Sequence, residues 1–344
     1  MLITMNQPTQ VRLQDVAREA GVSTATVSHV LNGKGRIPES TRARIRDIAE
    51  RMGYRPNAAA RSLASGRTGL IALAFSLPAA LPVPLTDVDY FSRAIRAATS
   101  RALERGYALV IGPPTPETTV WSRIPFDGVV VFDPVANDPT VVEFRQRRVP
   151  MVLSGRDPGG GNDFCVDNDH LAGTRLVLDH LEACGAQRIA LLAGDTQDAY
   201  SHDCVQAYQH WCGEHDREPM TTMVPLGRMR RRDEADRVLA QSNPPDAVYA
   251  TDEVLAVALL DAARARELNV PRDVMIVAAA DRQPEPPAQT PSLTTLEMNA
   301  VTTAERSIDV LVDVIEAKPP ANRMLLIPTE LVLGESTAMS EALR

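Results

Sequence analysis

Four cysteines in 344 residues leave little scope for a disulfide framework. Cys165, Cys184, Cys204 and Cys212 show neither C-x-x-C spacing nor a histidine at zinc-finger distance, so isolated reduced thiols are expected, with no structural metal and no cofactor. No apolar run approaches the length of a membrane span. The opening MLITMNQPTQ has neither a basic nor an apolar signal region, so a cytoplasmic chain with no membrane partner is expected. Catalytic signatures are also missing. No G-x-G-x-x-G leads from a strand into a helix, since Gly159, Gly160 and Gly161 fall in a turn after Asp157-Pro158. G-x-x-x-x-G-K-[ST] and G-x-S-x-G are absent, so the sequence argues against a dinucleotide-dependent enzyme and against a serine-nucleophile hydrolase.

What is present begins with a charge asymmetry. The whole chain carries −8, yet residues 1–67 hold eleven Lys and Arg against five Asp and Glu, a balance of +6 that leaves −14 for the remainder. A basic head favours phosphate contact and an acidic body discourages DNA from wrapping it. The same head, and the missing export signal, argue against a solute-capturing protein outside the membrane.

The stretch LQDVAREAGVSTATVSHVLN, residues 13–32, carries two helical patterns. Leu13, Val16, Ala17 and Ala20 share one face and Gly21 ends the first helix. Ser23 is a natural N-cap for a second helix whose Val27, Val30 and Leu31 again share a face. Thr24, Ala25, Thr26, Ser28 and His29 are left outward, small or hydrogen-bonding side chains of the kind a helix in a DNA major groove requires. The pattern predicts a helix-turn-helix, with a third helix over Pro38–Met52.

Together with TRARI, GYRPNAAARSLASGRT and the apolar run that follows, this stretch resembles the LacI/GalR family of bacterial transcription regulators. The resemblance implies a periplasmic-binding-protein-like α/β body of two doubly wound parallel-sheet subdomains behind an all-α helix-turn-helix domain. The expected divisions are a DNA-binding domain over 1–56, a hinge helix or linker over 57–67, and an effector-binding and dimerisation domain over 68–344. Within the last, the N-subdomain takes about 68–165 and 297–327, and the C-subdomain about 166–296 and 328–344. The resemblance places Ser23, Asn32, Tyr54 and Asn57 on phosphate oxygens, and Thr24, Ala25, Thr26 and His29, with Ser28 beside them, at base edges. Asn57–Ser65 is too short and polar to be helical alone. In the family it becomes a hinge helix, and the resemblance puts Ala60 and Leu63 in the minor groove, Leu63 as the wedge at a central base step.

From Gly69 onward, apolar runs alternate with helical stretches, as parallel sheets with crossover helices do. The runs are LIALAF, ALVI, GVVVF, PMVL, RIALLA, TMV, AVYA and VMIVA. Leu293–Leu296 and Ile327–Val332 are expected to carry the chain back between the halves, and Arg228–Arg232 to be a solvated lead-in to a helix over Asp233–Ala240. Proline-rich Leu77–Pro84 and Pro284–Pro291 are expected as stiff surface loops.

The family's ligand cleft is altered here. Where sugar-binding members carry Arg in an R-x-x-G-aromatic run this chain has Cys204, the usual Asn-Asp is Thr251-Asp252, and the usual Gly-aromatic-Asp-Asp is Ala278-Ala279-Ala280-Asp281. Each lost partner leaves a buried sugar hydroxyl unpaired, at about 1–3 kcal/mol apiece. Candidate effector contacts are Tyr90, Asp167, Asn168, Tyr200, His202, Cys204, Thr251, Ala280 and Asp281. The expected protein is a homodimeric repressor of a near-palindromic double-stranded DNA operator, modulated by a small molecule that is not an ordinary hexose. The alternative is a regulator controlled by a protein partner or lacking a small-molecule effector.

Overall fold

In the computed structural model, Leu13, Val16, Ala17 and Ala20 line the inner face of helix α1 (Leu13–Ala20), as their spacing requires. The structure describes residues 11–31, 35–54, 66–76, 89–112, 118–225, 228–281 and 291–337, and the chain divides into two compact units, one ending at Thr68 and the other starting at Gly69. Asp15 begins the first unit's order by accepting the Arg12 amide at 3.0 Å. Gly21, at φ +62°, turns the chain and donates its amide to the carbonyls of Ala17 and Arg18. Helix α2 (Thr24–Leu31) and helix α3 (Glu39–Arg51) follow. The expected Pro38 and Met52 stand at the caps of α3 and outside its helical residues, because Pro38 is extended at ψ 142°. Val16, Ala17, Ala20, Val27, Val30, Ile45, Ile48 and Ala49 make the core, with Leu31, Met52 and Tyr54 packed against it.

The second unit contains two six-stranded sheets. The first sheet is built from β1 (Leu70–Phe75), β2 (Ala108–Ile111), β3 (Gly128–Phe132), β4 (Met151–Ser154), β5 (Phe164–Asn168) and β11 (Met324–Ile327), every pair parallel. The second is built from β6 (Ile189–Gly194), β7 (Met220–Val224), β8 (Ala247–Ala250), β9 (Met275–Ala279), β10 (Thr294–Leu296) and β12 (Leu331–Val332), parallel except that β12 runs against β10. Their orders are β2-β1-β3-β4-β5-β11 and β7-β6-β8-β9-β10-β12. Each order reverses direction once, between β1 and β3 and between β6 and β8, and such switch points open a crevice beyond the strands' C-terminal ends. Helices α4 (Asp89–Glu104), α5 (Pro139–Gln146) and α10 (Ala300–Ile315) belong with the first sheet, and α6 (His170–Ala183), α7 (Ala199–Glu214), α8 (Arg228–Leu239) and α9 (Glu253–Ala265) with the second.

The chain crosses between the sheets three times, at 169, at 297–299 and at 328–330. The first crossing falls a few residues past the expected boundary at about 165, because β5 stays paired with β11 as far as Asn168. Ile327–Val332 is also two strands in different sheets, broken at Pro328, which has no amide to donate. Strand β5 and helix α10 are additions that the alternation of apolar runs does not list. The arginine-rich run belongs inside α8, which starts at Arg228, five residues before the expected Asp233. Residues 77–84 and 284–290 lie outside the described residues. Among the described residues no helix is long and apolar enough to cross a membrane.

Candidate nucleic-acid interface and effector cleft

Helix α2 is held at its start by Ser23, whose Oγ accepts the Thr26 amide at 3.1 Å and shares a hydrogen bond of 2.8 Å with the Thr26 hydroxyl. Val27 and Val30 point into the core, which leaves Ser23, Thr24, Ala25 and His29 exposed and Thr26 and Ser28 half-buried. Tyr54 is half-buried against the same core. Beyond α2, Gly35 lies close to His29. Arg42 donates from its guanidinium to the carbonyls of Gly35 at 2.6 Å and Ile37 at 3.2 Å. Gly35, at φ +75°, lies so close to the imidazole that a β-carbon there would stand 3.3 Å from His29 Nδ1. Arg42, counted in the sequence among the charges of a basic head, therefore acts as a clamp on the loop that backs His29. Asn32, Asn57, Ala60 and Leu63 lie outside the described residues.

The strand ends at the switch points bring together residues far apart in sequence. Val135, after β3, and Asp198, after β6, form an isolated antiparallel bridge from one sheet's loops to the other's. Arg93 on α4 donates to the Asp281 carbonyl at 3.0 Å, and the Arg156 guanidinium, after β4, donates to Asp203 on α7. These contacts join elements of the two sheets.

Several candidate effector residues lie at or beside these strand ends. Asp167 accepts the Arg156 amide at 3.1 Å, the Asn168 amide at 2.9 Å and the His170 ring at 3.0 Å. Tyr90 is half-buried, and burial first, then the carboxylates of Asp133, Asp281, Asp167 and Asp198, push its phenol well above the usual range. Tyr200 donates to the Thr251 carbonyl at 2.6 Å, and its ring lies 4.6 Å from that of His170. Asp281 accepts the Ala300 amide on Oδ2 at 2.7 Å, capping α10, while its side chain is 2% exposed and its Oδ1 has no hydrogen-bond partner.

Other candidates serve the scaffold. Asn168 donates to the Met298 carbonyl at 2.7 Å and accepts from Asn299 at 3.2 Å, and Asn299 also donates to the Pro328 carbonyl at 3.1 Å. These two asparagines lace the three crossings together. Thr251 accepts the Gly194 amide on its hydroxyl at 3.3 Å, and the Ala280 amide donates to the Leu296 carbonyl at 3.0 Å. Cys204 is fully buried beside Thr174 and Tyr200, and burial pushes its thiol up to about 12. His202 is 71% exposed and pairs with Asp203 at 3.5 Å.

Asp133, Asp198, Arg93, Arg156 and His170 were not among the sequence candidates. One signal could have found the first two, since Asp133 follows GVVVF and Asp198 follows RIALLA at strand C-terminal ends, where α/β sheets hold ligands. The two arginines and the histidine gain meaning only from partners that are distant in sequence.

A helix-turn-helix unit carried on a body of two crossed-over parallel sheets defines the class of bacterial DNA-binding regulators with a binding-protein-like body. Residues 12–57 match the pattern of the bacterial regulatory proteins of the lacI family, and residues 178–337 match that of the periplasmic binding protein-like domain. The chain is 27% identical over 277 residues to catabolite control protein A of Staphylococcus xylosus, covering 78% of this chain and 82% of that protein. It is 27% identical over 346 residues to the HTH-type transcriptional regulator DegA of Bacillus subtilis, covering 95% and 98%. The solved lac repressor dimer bound to operator and the anti-inducer ONPF has the same fold, with a TM-score of 0.79 at 24% identity over 96% of this chain and 100% of that one. The chain belongs to the LacI family, and is by class a DNA-binding transcriptional repressor.

Proposed function

We propose that the protein represses transcription in the cytoplasm as a homodimer on a near-palindromic operator, with α2 of each protomer in the major groove of one half-site. The observation that carries the reading is the exposed row Thr24, Ala25 and His29 on a capped helix whose other face is closed into a core. These side chains, with Thr26 and Ser28, read bases, while Ser23, Asn32, Tyr54 and Asn57 hold phosphates and Ala60 and Leu63 enter the minor groove. The solved relative is a dimer on its operator, and that assembly is carried over to this chain. A helix-turn-helix dimer presents two reading heads related by two-fold symmetry, so its site repeats that symmetry.

We infer that a small molecule other than an ordinary hexose sits in the crevice and shifts how the two sheets close on each other. Cys204 stands in the core in place of a guanidinium, and Asn168 is occupied in lacing the crossings, which removes two groups a sugar's hydroxyls would need. Repeated selection of fragments bound by the full chain from a random DNA pool tests the main reading. An inverted repeat should be enriched. An enriched site without internal symmetry would overturn the dimeric reading, and no enrichment would overturn sequence-specific binding.

A further inference from the structure

The basic residues of the helix-turn-helix unit do not all face solvent. On α3, Arg44 and Arg46 are exposed, but the side chain of Arg42 is only 13% exposed. A guanidinium taken out of water needs acceptors for its donors, and Arg42 finds them in the chain. Its Nε donates to the Ile37 carbonyl at 3.2 Å and its Nη2 to the Gly35 carbonyl at 2.6 Å. The amides of Thr41 and Arg42 both donate to the Pro38 carbonyl at 3.0 Å, and Ile37 packs against the core of the unit. Residues 35–38 are thereby tied to the first turn of α3.

What this tie holds in place is Gly35. The side of Gly35 on which a β-carbon would stand is turned to His29, in the last turn of α2, and that β-carbon would lie 3.3 Å from Nδ1 and 3.8 Å from Cβ and Cγ of the histidine. An exposed histidine samples several staggered rotamers unless something crowds it. A side chain confined to fewer rotamers gives up less freedom on meeting its partner, and it presents the same edge each time.

We propose that Arg42 is a positioning residue for base recognition: by holding the Gly35 and Ile37 carbonyls it keeps Gly35 against the Nδ1 edge of His29 and leaves Nε2 for one base; this rests on the reading of His29 as a base reader. Arg42 thus sharpens sequence preference without touching DNA. The fork of the guanidinium is essential to this role. It meets two carbonyls at once, whereas an ammonium is a single point of charge, so lysine keeps the charge and loses the clamp. A phosphate contact depends on the charge instead and shows itself in the salt dependence of binding.

The test is binding of full-chain native protein, His29→Ala, Arg42→Lys and the double variant to the selected operator and to each single-base variant of one half-site, at two salt concentrations. His29→Ala marks the base pair that His29 reads. At that pair Arg42→Lys should lower the preference for the operator's own base by about fivefold or more, with other positions and the salt slope unchanged. The double variant should discriminate no worse there than His29→Ala alone. Arg44→Gln, at an exposed arginine of the same helix, should leave the preference at that pair unchanged. The melting temperature of Arg42→Lys checks the fold; should it not fold, Gly35→Ala decides, since it sets a methyl group against the imidazole, leaves Arg42 in place and should disturb the same pair. If His29→Ala marks a pair and folded Arg42→Lys keeps the native preference there, the inference is overturned and the reading of His29 stands. An even loss over all sequences also overturns it, as a phosphate contact where the salt slope becomes shallower and as general loosening of the unit where it does not. If His29→Ala marks no pair, the reading of His29 and the inference are overturned together.

Discussion

The guanidinium of Arg93 donates to the backbone carbonyl of Asp281 at 3.0 Å, joining a helix on the first sheet to the end of a strand in the second. Asp281 in turn caps α10 through the Ala300 amide, so one acidic residue gathers a strand end and two helices. Removing the guanidinium leaves the carbonyl without this donor and Asp281 without its nearest cation. Arg93→Ala should lower the unfolding free energy by about 1 kcal/mol and widen the distribution of distances between spin labels placed on α4 and α9. Unchanged label distances would show that the contact does not hold the halves together.

Glu297 gives the crossing a pH response. Burial first, then the charges of Asp281 and Glu330, against the relief offered by Arg93, raise its carboxyl from 4.5 to about 7. A raised carboxylate binds more protons folded than unfolded, so its contribution to stability declines as pH rises from about 4.5 to about 7 and is flat above that. Chemical denaturation at a series of pH values should show that decline in the native protein. Glu297→Gln should remove this component of the slope. A variant with the native slope would place the response elsewhere.

Ser23 is read here as a phosphate contact, and its hydroxyl also caps α2. Ser23→Ala should destabilise the helix-turn-helix unit by about 1 kcal/mol, seen as a lower melting temperature of the full chain's first transition. Affinity for all DNA sequences should fall together. A loss confined to one operator position would make Ser23 a base reader.

How much of this was legible in the sequence follows from the range of the forces involved. The helix-turn-helix is local: apolar spacing, a glycine able to adopt positive φ and a serine cap act within a few residues, and α1 ends before Gly21 while α2 starts after Ser23, as the sequence reads. The buried strands were visible as apolar runs. Strand β5 was not, because FCVDN ends in two polar residues that are buried only by neighbours. The crossings were placed approximately, since Asn168 and Asn299 acquire their lacing role from carbonyls some 130 residues away in sequence. Asp167 and Asp281 are named in the sequence by resemblance alone. Arg93 and Arg156 carry no local signal, because their partners lie 188 and 47 residues further along.

Leu63 lies outside the described residues, and its wedge role rests on the family pattern. Leu63→Ala should weaken specific binding and reduce DNA bending in a gel or energy-transfer assay, with dimerisation unchanged in sedimentation. Unaltered bending would remove the wedge.

The most direct measurement of the central claim is binding of native and His29→Ala protein to the selected operator and to every single-base variant of one half-site, at two salt concentrations. Gly35 lies close to the Nδ1 edge of His29, and the proposed role of His29 as a base reader falls to its other edge. The account predicts that the variant loses discrimination at one position per half-site by about 1–3 kcal/mol with the salt slope unchanged. A uniform loss across all sequences with a shallower salt slope would contradict it.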